Sequence, residues 1–196
     1  MRRRLKKAKK EKWAIGQFNF STIEQLRAIL EAGKELKSPL ILGTSEGEVE
    51  FLGIKEVIAL VEISKTKYQT PVFLNLDHGK NLELIKKAID FGYNCVHFDG
   101  SNLNFKENVK LAKKIVKYAH KKGVLVEGEL GIIKGESRIH KSGIKISKEI
   151  LTSPEAAEDF VKKTNVDSLA VSIGNVHGVY QQMPKIDFVR LKEIET

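Results

Sequence analysis

The run Pro71-Val72-Phe73-Leu74-Asn75-Leu76-Asp77-His78-Gly79 is apolar, opens after a proline and stops abruptly in Asp-His-Gly. A carboxylate that can take a proton, beside an imidazole that can hold a metal, is equipment for carbon-acid chemistry. On a regular strand adjacent side chains point to opposite faces, so Asp77 and His78 share a site only where the strand ends and the backbone turns. The competing reading is a strand followed by a polar turn, with His78 merely capping a helix.

The elements around that run repeat a rhythm. Ala14 to Phe20 reads as a strand. Ser21-Thr22-Ile23-Glu24 is a capping-box pattern that opens a helix with Ile23, Leu26, Ile29 and Leu30 on one face. Pro39 to Ser45 is a second strand, Gly53 to Lys65 a second helix and Val72 to Asp77 a third strand. Asn81 caps the next helix and Gly92 ends it. Cys95 to Asp99 is strand four, Phe105 to Lys122 a helix and Val124 to Leu130 strand five. A polar excursion runs from Gly131 to about Leu151. Ser153-Pro154-Glu155 then starts a helix, Ser168 to Ile173 is strand six, and Asp187 to Ile194 begins one more helix.

Continuously apolar strands alternating with amphipathic helices predict a parallel sheet covered on both faces. A doubly wound sheet and a (β/α)8 barrel both fit that alternation. A doubly wound nucleotide fold would carry a Gly-rich phosphate loop after an early strand, and the glycines near Gly43 and Gly47 lack its spacing. The expected fold is therefore α/β, a (β/α)8 TIM barrel, incomplete, with about six of eight βα units present. Residues 1–196 form a single barrel domain in this reading, preceded over 1–12 by a basic helix.

In such a barrel the site is built where the strands end. The expected endings are Phe18-Asn19-Phe20, Thr44-Ser45-Glu46-Gly47, Asp77-His78-Gly79, Asp99-Gly100-Ser101, Glu127-Gly128-Glu129-Leu130-Gly131 and Gly174-Asn175-Val176-His177-Gly178. Each is polar or acidic, and most stand next to glycine. Two imidazoles, His78 and His177, with several carboxylates suit zinc or a similar divalent ion. His97 reads as a packed or hydrogen-bonded interior residue, His120 as a complement to a helix C-terminus, and His140 as solvated.

Composition bounds the rest. With 196 residues, 41% hydrophobic and 30% charged, the chain suits one filled core rather than two full domains. No apolar run approaches a membrane span, and the first residues hold no apolar leader. The single cysteine, Cys95, cannot form an internal disulfide, so the expected compartment is the cytoplasm. The net charge of +9 fits anionic substrates such as sugar phosphates, or simply solubility. Much of it lies in the first ten residues, and no aromatic-interleaved basic stripe argues for nucleic acid as a partner.

The ordered series Gly16-Gln17-Phe18-Asn19, Asp77-His78-Gly79, Phe98-Asp99-Gly100-Ser101, Tyr118-Ala119-His120, Val126 to Gly131, Asp167 to Ala170 and Ile173 to Gly178 resembles class II fructose-bisphosphate aldolases from about Trp13 onward. The resemblance implies reversible cleavage of a ketose 1,6-bisphosphate, fructose 1,6-bisphosphate first, to dihydroxyacetone phosphate and glyceraldehyde 3-phosphate. It implies a zinc-stabilised enediolate, with a second divalent or a monovalent cation as an option, and a place in carbohydrate metabolism and glycolysis. Asp77 would be the base. His78 and His177 would be zinc ligands, and Asp99 and Glu129 carboxylates near the metal or ligands of an alternative one. Asn19 and Ser45 would contact substrate, and Gly178 would offer a backbone N–H to its phosphate. Residues 131–151 would form a mobile loop carrying Glu136 as a proton-transfer residue.

Two departures stand out. Tyr180 is followed by Gln181 where the family commonly has lysine, which weakens one phosphate contact unless Lys185 substitutes. The chain also stops at Thr196, before the two strands that in the family carry a third zinc histidine and half of the phosphate pocket. The alternatives are therefore an inactive fragment that binds metal or phosphate, half of a split enzyme, or a tagatose-bisphosphate aldolase. An unrelated metal-dependent barrel hydrolase is disfavoured, because no strand carries a paired His-x-His. The expected partners are a phosphorylated sugar and either a second copy in a homodimer or a complementing C-terminal fragment, with no membrane.

Overall fold

The computed structural model describes residues 1–195. Its elements in order are α1 (Arg2–Glu11), β1 (Gly16–Asn19), α2 (Ile23–Glu35), β2 (Leu40–Ser45), α3 (Glu46–Leu52), α4 (Ile54–Tyr68), β3 (Val72–Gly79), α5 (Leu82–Phe91), β4 (Cys95–Phe98) and α6 (Phe105–His120). Then follow β5 (Leu125–Leu130), β6 (Gly135–His140), a 3-10 turn (Lys148–Ile150), α7 (Pro154–Thr164), β7 (Ser168–Val171), β8 (His177–Tyr180) and α8 (Phe188–Glu195). Six strands form one sheet in the order β1-β2-β3-β4-β5-β7, with parallel registers at the pairs β1–β2, β2–β3, β3–β4 and β5–β7. Sequential parallel strands with a helix between successive ones are the build of a (β/α)8 barrel, here with six of its eight strands. None of the described helices is long and apolar enough to cross a membrane.

By packing, the chain divides into two compact units, Met1–Phe98 with Ile115–Val126, and Asp99–Lys114 with the chain from Glu127 on. In the first unit Leu40, Ile41, Leu42, Gly43 and Thr44 of β2 are all buried, as expected of a strand covered on both faces. Leu26 and Leu30 of α2, Val57 and Val61 of α4, and Ile85, Ala88 and Ile89 of α5 give their apolar stripes to this core. Each fully buried leucine or valine contributes about 1.5–3 kcal/mol relative to an exposed one. Within this core Thr44 Oγ1 and Tyr93 Oη pair at 2.8 Å, and burial pushes the Tyr93 hydroxyl up to about 12. In the second unit Phe160 and Ala157 of α7 are buried, and the Phe160 ring lies over Gly128 of β5.

Several boundaries differ from the sequence reading. The cap of α2 is Thr22, which accepts from the N–H of Gln25 and is answered by the Gln25 side chain, so the capping box sits one residue later than Ser21. The loop after β2 is the helix α3, capped by Ser45 with Glu48 completing a second box. The polar excursion holds β6, which pairs in parallel with β8. The end expected of strand six, around His177, thus belongs to a separate two-stranded sheet. Within it the rings of His140 and Tyr180 stack 4.2 Å apart. The other signals hold: Asn81 caps α5, Gly92 ends it in a left-handed conformation, and Ser153 caps α7 with Pro154 following.

Asn81 Oδ1 accepts from the N–H groups of both Glu83 and Leu84, at 2.9 and 3.2 Å, immediately after the polar end of β3. Asn81→Ala is expected to cost about 1 kcal/mol. Urea unfolding should show this as a lowered midpoint with an unchanged slope; an unaltered midpoint would remove the cap from the list of stabilising contacts.

Candidate active site

β3 does not end as a regular strand. Its register with β4 runs Asn75 to Cys95 and Leu76 to Val96, then jumps to Gly79 opposite Phe98. Three steps on β3 match two on β4, so one extra residue is accommodated at Asp77-His78, the arrangement of a β-bulge. His78 takes up the turn with φ 49°, in the left-handed region that non-glycine residues rarely enter. The bulge breaks the alternation, so the side chains of two adjacent residues come close to one another. Gly79 completes it, because a Cβ there would press on Ile85 Cγ1 at 2.9 Å and on the His97 carbonyl oxygen at 3.1 Å.

Around Asp77 the first unit gathers side chains from three strands. Gln17 Nε2 donates to Asp77 Oδ1 at 3.1 Å, and Asn19 Nδ2 donates to Oδ2 at 2.9 Å. Asn75 Nδ2 in turn donates to Gln17 Oε1 at 2.9 Å, which orients the amide. Asn19 also reaches Glu48 Oε2 at 3.2 Å, and that carboxylate accepts from the Ser45 N–H at 2.6 Å and from Ser21 Oγ at 3.0 Å. Gly43 stands directly opposite Asn19 in the β1–β2 register, and any Cβ there would occupy the place of the Asn19 amide oxygen. The absent side chain is what lets Asn19 lie across the sheet toward Asp77.

His97, expected as a packed interior residue, is indeed 4% exposed, yet it belongs to this group. Its Nδ1 accepts from the His78 backbone N–H at 3.3 Å and lies 3.6 Å from Asp77 Oδ1. The His78 and His97 rings are 4.7 Å apart and tilted by 52°. Burial raises the Asp77 carboxyl, but the hydrogen bond from the Asn19 amide and the nearby His78 imidazole act against it, and the acid lies below its ordinary 3.8. With Nδ1 already accepting from a backbone N–H, 3.6 Å to Asp77 reads as an electrostatic contact rather than a second hydrogen bond.

Asp77, His78 and His97 each offer one ligand atom, all within 4.8 Å of one another. Of the three, His78 at the bulge brings an imidazole, a donor that zinc and similar divalent ions take.

The remaining expected site residues are placed as follows. Ser45 pairs with Asp77 in the β2–β3 register, and its Oγ accepts from the Glu48 N–H at 3.3 Å as the cap of α3. In the second unit Asp99 Oδ1 accepts from the N–H and the hydroxyl of Ser101, at 3.1 and 2.6 Å. Glu129 is buried in β5, where its carbonyl accepts from Asn108 Nδ2 at 3.0 Å. His177 opens β8, its N–H on the Lys134 carbonyl at 2.8 Å, and Gly178 follows with φ 89°. Glu136 lies on β6, and its side chain is outside the described part of the structure. Gln17, Glu48 and His97 were not singled out as site residues by sequence. Gln17 carried a signal, one residue from Phe18 and two from Asn19 at a strand end, whereas nothing local distinguishes His97 from a core residue.

The family model for class-II fructose-bisphosphate aldolase matches residues 1–196. The chain belongs to that family. It is 40% identical over 198 residues to the fructose-bisphosphate aldolase of Geobacillus stearothermophilus, covering 99% of this chain and 67% of that one. With the fructose-bisphosphate aldolase of Helicobacter pylori strain 26695 it shares 43% over 195 residues, covering 97% of this chain and 62% of the relative. The crystal structure of the YdjI aldolase from Escherichia coli K12 superposes with a TM-score of 0.84 at 33% identity, over 98% of this chain and 67% of that one. The chain thus spans about two thirds of the length of its aldolase relatives.

Folding lowers the pKa of Asp77, so its contribution to stability is full above the ordinary value near 3.8 and is lost as pH falls through the depressed folded value. Asn19→Ala removes one of the groups that hold it down and leaves the opposing effect of burial in place. The Asp77 carboxyl carbon, followed by NMR, should then titrate at higher pH than in the unaltered chain. An unchanged titration would mean that Asn19 does not set the charge on Asp77.

Proposed function

We propose that this chain carries the base and metal-side residues of a class II ketose-bisphosphate aldolase, with fructose 1,6-bisphosphate as the first substrate choice. The observation that carries this reading is the bulged end of β3, where Asp77 and His78 adjoin while Asn19 and Gln17 hold the carboxylate. His78 would hold a divalent ion. His177, Asp99 and Glu129 keep the metal-side roles that the resemblance implies, Ser45 and Gly178 the substrate and phosphate contacts, and Glu136 a part in proton transfer. When bound, zinc supplies Lewis-acid polarisation of the substrate ketone.

Asp77 takes and returns the proton at the carbon beside that ketone. A carboxylate held below 3.8 is ionised at neutral pH and ready to accept, yet it is a weak base, so its task requires an acidified C–H. Asn19 and Gln17 fix the oxygens so that the acceptor geometry exists before substrate arrives. A phosphorylated sugar as substrate is consistent with the chain's excess of positive charge. A cytoplasmic place in glycolysis, and association as a dimer or with a complementing fragment, belong to the same proposal.

The test joins residues 1–196 to the remaining third of the Geobacillus stearothermophilus aldolase. Cleavage of fructose 1,6-bisphosphate should appear, be removed by a chelator and restored by zinc. Asp77→Asn should lower it by about 10²–10⁴-fold, the share a positioned general base supplies. Activity that survives chelation and is trapped by borohydride would indicate a lysine Schiff base and overturn the proposal.

A further inference from the structure

We propose that His97 is a positioning residue that holds the left-handed turn at His78 and so sets the direction of the His78 imidazole; this rests on the reading of His78 as a metal ligand. A bulge removes its extra residue from the regular ladder of strand-to-strand hydrogen bonds. Here the ladder between β3 and β4 breaks between Leu76 and Gly79, and the residue in the gap has φ 49°. Such a conformation persists in a non-glycine residue only where its surroundings over-determine it.

A neighbour on β4 contributes to those surroundings. His97 Nδ1 receives the His78 N–H at 3.3 Å, in the place of a strand carbonyl. Its ring lies 4.7 Å from the His78 ring and restricts where that imidazole can turn. Its backbone carbonyl closes on Gly79, where a Cβ would lie 3.1 Å from it. Accepting at Nδ1 fixes the neutral His97 tautomer with its proton on Nε2. A buried apolar residue of the same size would fill the space but could not accept the hydrogen bond. That difference separates a positioning residue from a packing one.

Asparagine and glutamine distinguish the two ring nitrogens, since the Asn oxygen falls near the place of Nδ1 and the Gln oxygen near that of Nε2. Three variants of the full chain, His97→Asn, His97→Gln and His97→Met, are compared by two measurements. One is hydrogen exchange of the His78 amide, followed by NMR. The other is the Zn2+ dissociation constant, from competition with a chromophoric chelator. His97→Asn should keep the His78 amide protected and zinc affinity close to that of the unaltered chain. His97→Gln and His97→Met should expose the amide and weaken zinc by about 10–100-fold, as loss of a residue supporting a metal ligand does. Protection retained in His97→Met, or lost equally in His97→Asn, would overturn the proposal. If the unaltered chain takes up no zinc, the metal reading of His78 fails on its own, and the amide exchange still decides the role of His97.

Discussion

One inserted residue in β3 governs the rest of the site. Without the extra step between Leu76 and Gly79, Asp77 and His78 would face opposite sides of the sheet, one toward the helices and one toward the site. The bulge has costs, because His78 must adopt a left-handed backbone and Gly79 must forgo a side chain. A strained residue of this kind costs of order 1–3 kcal/mol and survives where the neighbouring structure insists on it. β2 and β4 supply that insistence. β2 pairs with β3 without interruption as far as Asp77, and β4 re-engages at Gly79 after the gap.

Around this turn, opposing electrostatic effects are balanced rather than minimised. Burial alone would leave Asp77 a weaker acid than usual, but the Asn19 amide and the nearby His78 imidazole reverse the sign. The donors reach across from β1, and Asn19 does so through the space left by Gly43. Glu48, at the start of α3, holds the far side of the Asn19 amide while completing its own helix cap. Glu46 of the same helix accepts from the N–H groups of Lys80 and Asn81, at 2.7 and 2.6 Å, and so ties the turn after β3 to the turn after β2. A helix absent from the sequence reading therefore fixes two strand ends at once.

The architecture was legible because its signals are local. Continuous apolar strands, capping side chains such as Asn81 and Ser153, and helix-terminating Gly92 each act within a few residues. The place of Asp77 and His78 at a strand end was legible from the apolar run before them and the glycine after them. Less was legible where the deciding contact is distant in sequence. His97 resembles a core residue in its own strand, and its role exists only because β3 gains a residue beside it. α3 was hidden because Ser45, which caps it, and Glu46, which opens it, also read as the polar end of a strand. β6 and β8 are short, and each finds its partner more than thirty residues away.

The central claim is a proposed division of labour between neighbours, in which His78 would hold the metal and Asp77 would stay off it as the base. A crystal structure of the zinc-loaded chain, with anomalous data at the zinc edge, tests this most directly. The expected result is a zinc peak about 2.0–2.1 Å from an imidazole nitrogen of His78, with both Asp77 oxygens beyond bonding distance and still held by Asn19 and Gln17. An Asp77 oxygen about 2.0–2.2 Å from the zinc, or a zinc peak away from His78, would contradict it.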